Sequence, residues 1–333
     1  MTDASLRSRA LVCSRLAPGL AGVAVTEVPI PRPGPGELRI RVRAAALNFP
    51  DLLMTEGRYQ HRPPLPFVLG GEGAGEVDAV GEGVEGFEPG DRVSFHGRGA
   101  IADFVVHPVE RVAPIPDTMS FESACAYQVG AITAWVSLVR LGRLERGETL
   151  LVHGASGGMG YAAIQLGRHL GARVIATSRS AAGDALLQTL AGVERVRIAP
   201  DGGFRDDVRA LTDGHGADVI FDPVGGDVFD ESVRAIAWGG RLLLVGFASG
   251  RIPTLAMNRP LIKGFSLIGV RAGEYGRRDP AKGAENREAV RRLAAQGVFE
   301  PLIGARFTLD EGLESLRALA ERRAPGKIVV LPA

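Results

Sequence analysis

The sequence predicts an α/β protein in which a β-rich, barrel-like domain precedes a doubly wound parallel sheet of six strands. Two patterns predict this architecture. Residues 23–112 hold short apolar segments punctuated by Gly and Pro, as in an all-β domain. From about residue 124, segments of strand length alternate with segments of helical periodicity, which is typical of a parallel sheet covered by helices. We therefore expect domains at 1–123 and 124–299.

The elements follow in chain order. Residues 37–48 partly alternate polar and apolar side chains, and residues 71–95 indicate two strands joined by glycine-bearing turns. The parallel strands are predicted at 150–152, 173–177, 195–198, 218–222, 241–246 and 266–270. Helices fit between the first five, at 160–170, 182–190, 204–211 and 228–237. Beyond them we expect a helix at 280–296, a strand near 306, a helix at 310–322 and a last strand at 328–331.

The composition is that of an ordinary globular protein. Of the 333 residues, 45% are hydrophobic and 23% are charged, and the formal net charge is +1. That charge does not favour nucleic acid or an anionic membrane as a partner, and no apolar run approaches the roughly 18 residues of a membrane span. The N-terminal segment lacks the apolar core of a signal peptide, so the expected location is the cytoplasm. The two cysteines, Cys13 and Cys125, cannot form a disulfide framework, and we expect Cys125 to be an unreactive buried thiol.

A glycine-rich loop lies between the first predicted parallel strand and its helix. It contains Gly154, Gly157, Gly158 and Gly160 within seven residues. Glycines in a strand–turn–helix unit let backbone N–H groups and the helix N-terminus approach a pyrophosphate closely. The fingerprint departs from the usual pattern only at Ala155, which stands at its first glycine position. The loop therefore predicts a dinucleotide-binding site.

The end of the next strand indicates which dinucleotide binds. NAD sites place an acidic residue about 20 residues after the loop to hold the ribose hydroxyls. Here the strand ends in Ser178 and Arg179, and the first acid beyond is Asp184, inside the next predicted helix. A guanidinium with a neighbouring hydroxyl suits a 2′-phosphate, so the sequence favours NADP(H).

These features together resemble a known family. The β-rich first domain, the loop "GASGGMG", the segment "FDPVGGDVFDESVRAIAWGGRLLLVGFASG" and the closing "PGKIVVLP" are similar to the medium-chain dehydrogenase/reductase superfamily. Within it, the chain resembles the zinc-free quinone oxidoreductase branch related to ζ-crystallin. The resemblance implies a Rossmann domain for 124–299. It also implies a GroES-like barrel domain that residues 300–333 rejoin, with the cofactor in the cleft between the two domains.

The resemblance also implies that no metal takes part. The zinc-dependent alcohol dehydrogenases of this superfamily have a cysteine and a histidine ligand where this chain has Asn48 and Gly71, although Glu72 remains. The four closely spaced cysteines of their structural zinc are absent, and the six histidines lack ligand spacing. Alcohol oxidation benefits from a Lewis acid, whereas an electron-poor C=C bond or a quinone accepts hydride readily. We therefore expect reduction of a quinone or an α,β-unsaturated carbonyl compound by NADPH.

Carry-over of the family's motifs gives candidate site residues. Asn48 and Tyr59 are the candidate catalytic residues. Asn48 could donate to a carbonyl oxygen or to a ribose hydroxyl, and Tyr59 could hydrogen-bond the substrate or relay a proton, while Asp51 is expected to serve the loop structure. The remaining candidate cofactor contacts are Thr133, Ala155, Ser156, Gly157, Gly158, Met159, Gly160, Ser178, Arg179, Val245, Gly246, Phe247, Ala248, Val270, Arg271 and Lys327. The carboxyl edge of the sheet, where the segments ending in Ala248 and Arg271 lie, is where ligands of open sheets bind.

Two other functions stay open. An enoyl-thioester reductase shares this cofactor domain, and Arg58, Arg62 and the pair at 277–278 offer cations for the phosphates of coenzyme A. A non-catalytic NADPH-binding protein, structural or RNA-binding, is the alternative of another class, although no basic and aromatic patch supports RNA. We also expect a homodimer, because the sixth strand would leave an apolar sheet edge that a second copy can pair.

Overall fold

The computed structural model describes residues 7–199 and 202–332. Its strands are β1 (Arg7–Cys13), β2 (Val23–Pro29), β3 (Glu37–Ala46), β4 (Phe67–Val68), β5 (Glu72–Val80), β6 (Arg92–His96), β7 (Phe104–Pro108), β8 (Val112–Pro114), β9 (Thr149–Val152), β10 (Arg173–Ser178), β11 (Val193–Arg197), β12 (Ala217–Asp222), β13 (Ile236–Leu244), β14 (Ser266–Gly269), β15 (Ile303–Thr308) and β16 (Lys327–Leu331). Its helices are α1 (Phe49–Thr55), α2 (Phe121–Ala126), α3 (Gln128–Trp135), α4 (Gly158–His169), α5 (Ala181–Gln188), α6 (Arg205–Leu211), α7 (Gly226–Ala235), α8 (Asn258–Lys263), α9 (Ala272–Arg278), α10 (Pro280–Ala295) and α11 (Gly312–Ala320).

The chain divides into two units, and the division falls inside α3. The barrel unit comprises residues up to 129 together with those from 301 onward, and the sheet unit comprises residues 130–300. The predicted domain limits of 1–123, 124–299 and 300–333 stay a proposal about the functional domains.

The barrel unit contains two sheets, in which every strand pair is antiparallel except β15 with β16. Strand β1 pairs with β2 and β4, while the larger sheet runs β15-β16-β3-β5-β6-β8, with β7 also on β3. Strand β3 alternates polar and apolar residues, and this alternation buries Leu38, Ile40 and Val42 in the core. Strand β16 joins this sheet because Val329 pairs with Ala46, so the C-terminal segment is part of the barrel unit.

The sheet unit contains a six-stranded parallel sheet in the order β11-β10-β9-β12-β13-β14. All four residues of β9 are buried, as expected for a central strand with helices on both faces. The strand order reverses between β9 and β12, and the carboxyl ends around such a reversal are the usual ligand-binding edge. The predicted fold class, with a doubly wound sheet and a separate β-rich domain, is confirmed.

Differences from the predicted elements are local. Helix α7 ends at Ala235 and β13 begins at Ile236, where the sequence predicts that the helix continues to 237 and that the strand starts at 241. Ile236 and Ala237 are buried apolar residues that fit either periodicity. Helices α1, α8 and α9 are additions to the predicted set.

The described helices include none that is both long and apolar enough to cross a membrane.

Candidate active site

The glycine-rich loop follows β9 and turns into α4. Gly154 has a φ of 60°, in the left-handed region that favours glycine. A Cβ at Gly160 would lie 2.2 Å from the carbonyl oxygen of Gly154, so the first turn of α4 packs directly on the backbone of the loop. The glycines at 154 and 160 therefore set the path of the loop.

The first turn of α4 presents free backbone donors. Gly157 is the N-cap residue, and no side chain caps the helix there. Its own N–H donates to Gly154 at 2.9 Å, and the N–H of Tyr161 donates to Gly157 at 2.8 Å. Between them, the N–H groups of Gly158, Met159 and Gly160 donate to no group among residues 7–199 and 202–332. Three free donors at the positive end of a helix dipole suit the pyrophosphate of a dinucleotide.

The end of β10 has one contact that the sequence does not predict. The hydroxyl of Ser178, a candidate for the 2′-phosphate, is buried and donates to the carboxylate of Asp184. Asp184 comes close because the N-cap Ser180 starts α5 at once and Asp184 lies in its first turn. The carboxylate also pairs with Arg197 at 3.2 Å. Ser178 therefore links β10 to α5, and its contact with a 2′-phosphate stays a prediction.

Other polar groups remain around this strand end. A Cβ at Gly183 would lie within 3.4 Å of the side chains of Ser156, Ser178 and Ser180, so the loop after β9 and the start of α5 are neighbours. Arg179 is exposed beside them. Arg179 and the hydroxyl of Ser156 thus both lie near the end of β10, and binding of a 2′-phosphate there stays a prediction.

The carboxyl ends of β12 and β13 form a linked pair of turns. The N–H of Val245 donates to Asp222, and the N–H of Ala248 donates to Pro223, at 2.9 and 3.0 Å. Gly246 and Phe247 lie between these bonds. Asp222 is fully buried, its Oδ1 accepts from Val224 and Gly225, and its Oδ2 has no hydrogen-bond partner in the described structure. Burial raises the pKa of Asp222 to about 6.

The remaining candidate cofactor contacts of the sheet unit lie in α3 and directly after β14. Thr133 is buried in α3, one turn after Gly130, and a Cβ at Gly130 would lie 3.1 Å from the oxygen of Gly158. Helix α3 therefore packs against the start of α4. Val270 and Arg271 follow β14, where the N–H of Val270 donates to Leu244 at 2.8 Å and Arg271 forms an ion pair with Glu274 at 3.7 Å.

The barrel unit holds a buried cluster around Glu72. One carboxylate oxygen of Glu72 accepts from the Nζ of Lys327 at 2.8 Å and from the Nδ2 of Asn48 at 2.9 Å. The other accepts from the N–H of Val129 at 2.8 Å. The Nζ of Lys327 also donates to Asn48 Oδ1 at 2.7 Å and to the oxygen of Leu47 at 3.0 Å. Glu72 is 0% and Lys327 5% exposed, so this is a buried ion pair with complete hydrogen bonding.

Asp51 supports the loop that carries Asn48. Its carboxylate accepts from the N–H of Asn48 at 2.8 Å and from the N–H of Gly70 at 3.2 Å. Burial is the main cause that raises the pKa of Asp51 to about 6, although these two hydrogen bonds act in the opposite direction. Asp51 thus fixes the start of α1 to the segment that precedes Glu72.

These residues do not fit a zinc ion. Zinc sites in proteins use thiolate, imidazole and carboxylate ligands, and an amide and an ammonium are the groups that surround Glu72 here. Within residues 7–199 and 202–332, no group of three or more His, Cys, Asp or Glu residues could hold a metal ion. Cys125 is buried, and burial raises the pKa of its thiol well above the usual value, so it is a poor ligand as well as a poor nucleophile.

Lys327, a predicted cofactor contact, lies inside the barrel unit. Its three N–H donors are used by Leu47, Asn48 and Glu72. Contact of Lys327 with the cofactor stays a prediction. The motif reveals neither the hydrogen bonds of Lys327 nor that of Ser178, because each depends on a partner brought close by the fold. One feature of the sequence that could have drawn attention to Lys327 is composition, because only 3 of the 39 basic residues are lysines.

Asn48 and Tyr59 are both half-buried in the barrel unit. Asn48 is the N-cap residue of α1, and Tyr59 lies in the turn region that follows this helix. The structure thus brings Asn48 and Lys327 together and leaves Tyr59 outside their cluster of hydrogen bonds.

Comparison with known proteins identifies the family. Residues 34–117 match the alcohol dehydrogenase GroES-like domain, and residues 158–295 match the zinc-binding dehydrogenase family. The chain is 36% identical over 291 residues to a quinone oxidoreductase-like protein 2 homolog of Nematostella vectensis, covering 86% of this chain and 79% of that protein. The chain belongs to the medium-chain dehydrogenase/reductase superfamily. Its place is in the quinone oxidoreductase-like branch, and it is an oxidoreductase.

Solved structures of this superfamily are similar over the whole chain. The native structure of mycobacterial Rv1454c complexed with NADPH is 30% identical, has a TM-score of 0.88, and is matched over 97% of this chain and 100% of that one. The CurK enoyl reductase is 25% identical with a TM-score of 0.88, over 98% and 99% of the two chains. The predicted family is therefore confirmed, and both a quinone-type and an enoyl-type reductase are represented among its relatives.

Proposed function

We propose that the protein is an NADPH-dependent, zinc-independent reductase that transfers hydride to a quinone or to an α,β-unsaturated carbonyl compound. The observation that carries this proposal is the cluster of Asn48, Glu72 and Lys327. It holds the amide N–H of Asn48 in a fixed orientation, in a family whose zinc members hold a metal there. Such a donor can stabilise a developing oxyanion on an electron-poor acceptor, which needs no Lewis acid to accept hydride.

The sheet unit supports NADP(H) as the cofactor. The nicotinamide supplies the hydride when the cofactor is bound. The free N–H groups of Gly158, Met159 and Gly160 would hold the pyrophosphate, and Arg179 would pair with the 2′-phosphate. The similarity to a structure complexed with NADPH supports the same choice. The other cofactor contacts that we propose lie on the loop after β9, on α3 and at the ends of β13 and β14: Thr133, Ala155, Ser156, Gly157, Val245, Gly246, Phe247, Ala248, Val270 and Arg271.

In the barrel unit, we assign contact with substrate to Asn48 and Tyr59. The half-buried amide of Asn48 can donate to a carbonyl oxygen, or to a ribose hydroxyl of the cofactor. The hydroxyl of Tyr59 can donate to substrate from the turn region that follows α1. Neither residue needs a change of protonation for this role, so both act as hydrogen-bond donors.

An enoyl-thioester reductase is the second candidate, favoured by the similarity to the CurK enoyl reductase. Arg58 and Arg62 are exposed near Tyr59 and offer cations for the phosphates of an acyl coenzyme A. A non-catalytic role is disfavoured because the chain belongs to a family of oxidoreductases.

The test is NADPH oxidation with matched panels of quinones, enones and enoyl-coenzyme A thioesters. We expect the highest kcat/KM with a quinone or an enone, and a roughly tenfold or larger loss in the Asn48→Ala variant. The matched control is Asn258→Ala at an exposed residue of the sheet unit, which should keep the activity of the wild type. NADPH oxidation that is fastest with enoyl thioesters would support the second candidate, and no oxidation with any acceptor would refute both.

We also propose that the protein forms a homodimer through β14. This strand is at the edge of the parallel sheet, and Leu267 on it and Leu261 and Ile262 on α8 are exposed apolar residues. Light scattering should give twice the chain mass of 35.1 kDa. Leu267→Lys should shift the mass towards the single chain, while Leu16→Lys, at an exposed leucine of the barrel unit, should not. A wild-type mass of one chain at micromolar concentration would contradict the dimer.

A further inference from the structure

The buried ammonium of Lys327 determines how the amide of Asn48 is oriented. An ammonium can only donate hydrogen bonds, so the Asn48 atom at 2.7 Å from Nζ must be the amide oxygen. The carboxylate of Glu72 only accepts, so the Asn48 atom at 2.9 Å from it must be Nδ2. The usual ambiguity between the two ends of an amide is therefore removed by chemistry.

This orientation leaves one functional group of Asn48 free. Nδ2 carries two N–H donors, and Glu72 uses one of them. The second has no acceptor among the residues that the structure describes, and Asn48 is half-buried whereas Glu72 is not exposed at all. Asn48 therefore offers a ligand an N–H donor, while its carbonyl oxygen already accepts from Lys327.

Both members of the ion pair act on the amide of Asn48. The ammonium of Lys327 withdraws electron density from Oδ1, while the equally buried carboxylate of Glu72 accepts from Nδ2 and acts in the opposite sense. Because the two charges balance, the effect of Lys327 on the free N–H is one of orientation.

The choice of residue at 327 agrees with this role. The sequence uses arginine at 36 and lysine at 3 of its 39 basic positions. Three acceptors, on Leu47, Asn48 and Glu72, converge on the single Nζ. A tetrahedral ammonium satisfies three acceptors around one nitrogen, whereas the planar fork of a guanidinium does not.

We propose that Lys327 is a positioning residue, which locks Asn48 as an N–H donor towards the substrate oxygen. This inference rests on the proposed reductase function. It assigns to Lys327 an effect on the hydride-transfer step that a purely structural lysine would not have.

The kinetic test uses Lys327→Met and the double variant Lys327→Met/Glu72→Gln, with NADPH and 1,4-naphthoquinone. The double variant removes both buried charges and so avoids an unpaired carboxylate, and it should melt near the wild type. We expect kcat to fall at least about tenfold in both variants, while the KM for the quinone changes by less than about threefold. The matched control Lys282→Met removes an exposed lysine and should leave both parameters unchanged. A folded double variant with the kcat of the wild type would overturn the proposal.

A second test does not depend on turnover. The sequence has three asparagines, Asn48, Asn258 and Asn286, so ¹⁵N-asparagine labelling gives three side-chain amide signals. Lys327→Met should shift the Asn48 pair and speed the exchange of its protons, while the other two pairs stay in place. An unchanged Asn48 pair would show that Lys327 does not hold the amide. If the wild type oxidises no NADPH with any acceptor, the reductase function fails while this spectroscopic result still decides the role of Lys327.

Discussion

The candidate site of the sheet unit consists mainly of backbone groups, whereas that of the barrel unit consists of side chains. In the sheet unit the site is made largely of backbone, with the amides of residues 158–160 at the start of α4 and close packing at Gly160. In the barrel unit it is made of side chains, in which Lys327 and Glu72 form a buried ion pair around Asn48. A backbone site depends on the shape of one local segment, whereas the side-chain cluster depends on residues 24 to 279 positions apart in the chain.

This difference predicts that the cluster is more sensitive to the loss of a single charge. Glu72→Ala leaves the ammonium of Lys327 buried without a carboxylate, and removal of one partner of such a pair costs about 3–5 kcal/mol. We expect this loss in the free energy of unfolding measured by urea. Glu76→Ala on the same strand β5 is the matched control, because Glu76 pairs with Arg43 at the surface and should cost at most about 1 kcal/mol. Equal losses in the two variants would show that the buried pair contributes no more to the free energy of unfolding than the surface pair does.

Two glycine variants in the loop after β9 distinguish an effect on stability from an effect on NADPH binding. At Gly160 a Cβ would lie 2.2 Å from a backbone oxygen, so Gly160→Ala should destabilise the protein by roughly 1–3 kcal/mol and weaken NADPH binding. At Gly157 the nearest atom would be 3.4 Å away and φ is −96°, so alanine is tolerated by the fold. Gly157→Ala should weaken NADPH binding with a nearly unchanged unfolding curve. A variant at 157 that binds NADPH as tightly as the wild type would place the pyrophosphate elsewhere.

Arg179 gives a smaller effect that sharpens the cofactor assignment. A charge-assisted hydrogen bond to a phosphate contributes roughly 1.5–3 kcal/mol, so Arg179→Ala should weaken NADPH binding by about ten- to a hundredfold. NADH has no 2′-phosphate, and its affinity should change little. Fluorescence titration of both cofactors measures this, with Arg168→Ala, at another exposed arginine, as the control. Equal losses for NADPH and NADH would point to stacking on the adenine instead.

Asp222 gives the smallest expected effect and a pH dependence. Its pKa in the folded protein is raised to about 6 from 3.8, mainly by burial, so the fold favours the protonated form. The stability from this group is therefore present below pH 3.8 and is lost as the pH rises through about 6. Asp222→Asn, which cannot ionise, should gain about 1–2 kcal/mol relative to the wild type between pH 4.5 and 7.5. A difference that is independent of pH would show that Asp222 is ionised throughout.

The sheet unit was also the better predicted of the two from sequence. Its six strands and the helices α4 to α7 lie within a few residues of the predicted ranges except at the start of β13, because buried strands and amphipathic helices leave a strong local periodicity. The contact of Ser178 with Asp184 could not be predicted, since it depends on how tightly α5 turns back after β10.

The barrel unit shows the limit of local patterns more clearly. The motif containing Lys327 is visible in the sequence, but its partners Asn48 and Glu72 lie more than 250 residues away. Pairing of β16 with β3 brings them together, and no periodicity within either segment specifies that pairing. The resemblance to zinc enzymes points to Asn48 and Glu72, whereas only the structure shows their link to Lys327.

The central claim is that this cluster supports hydride transfer to an electron-poor acceptor without a metal, and one measurement tests it most directly. Zinc content and NADPH-dependent reduction of 1,4-naphthoquinone are measured on the same purified protein, before and after treatment with a strong chelator. We expect well under one zinc per chain and a kcat that the chelator does not change. Stoichiometric zinc, with activity that is lost on its removal and restored by its return, would contradict the account.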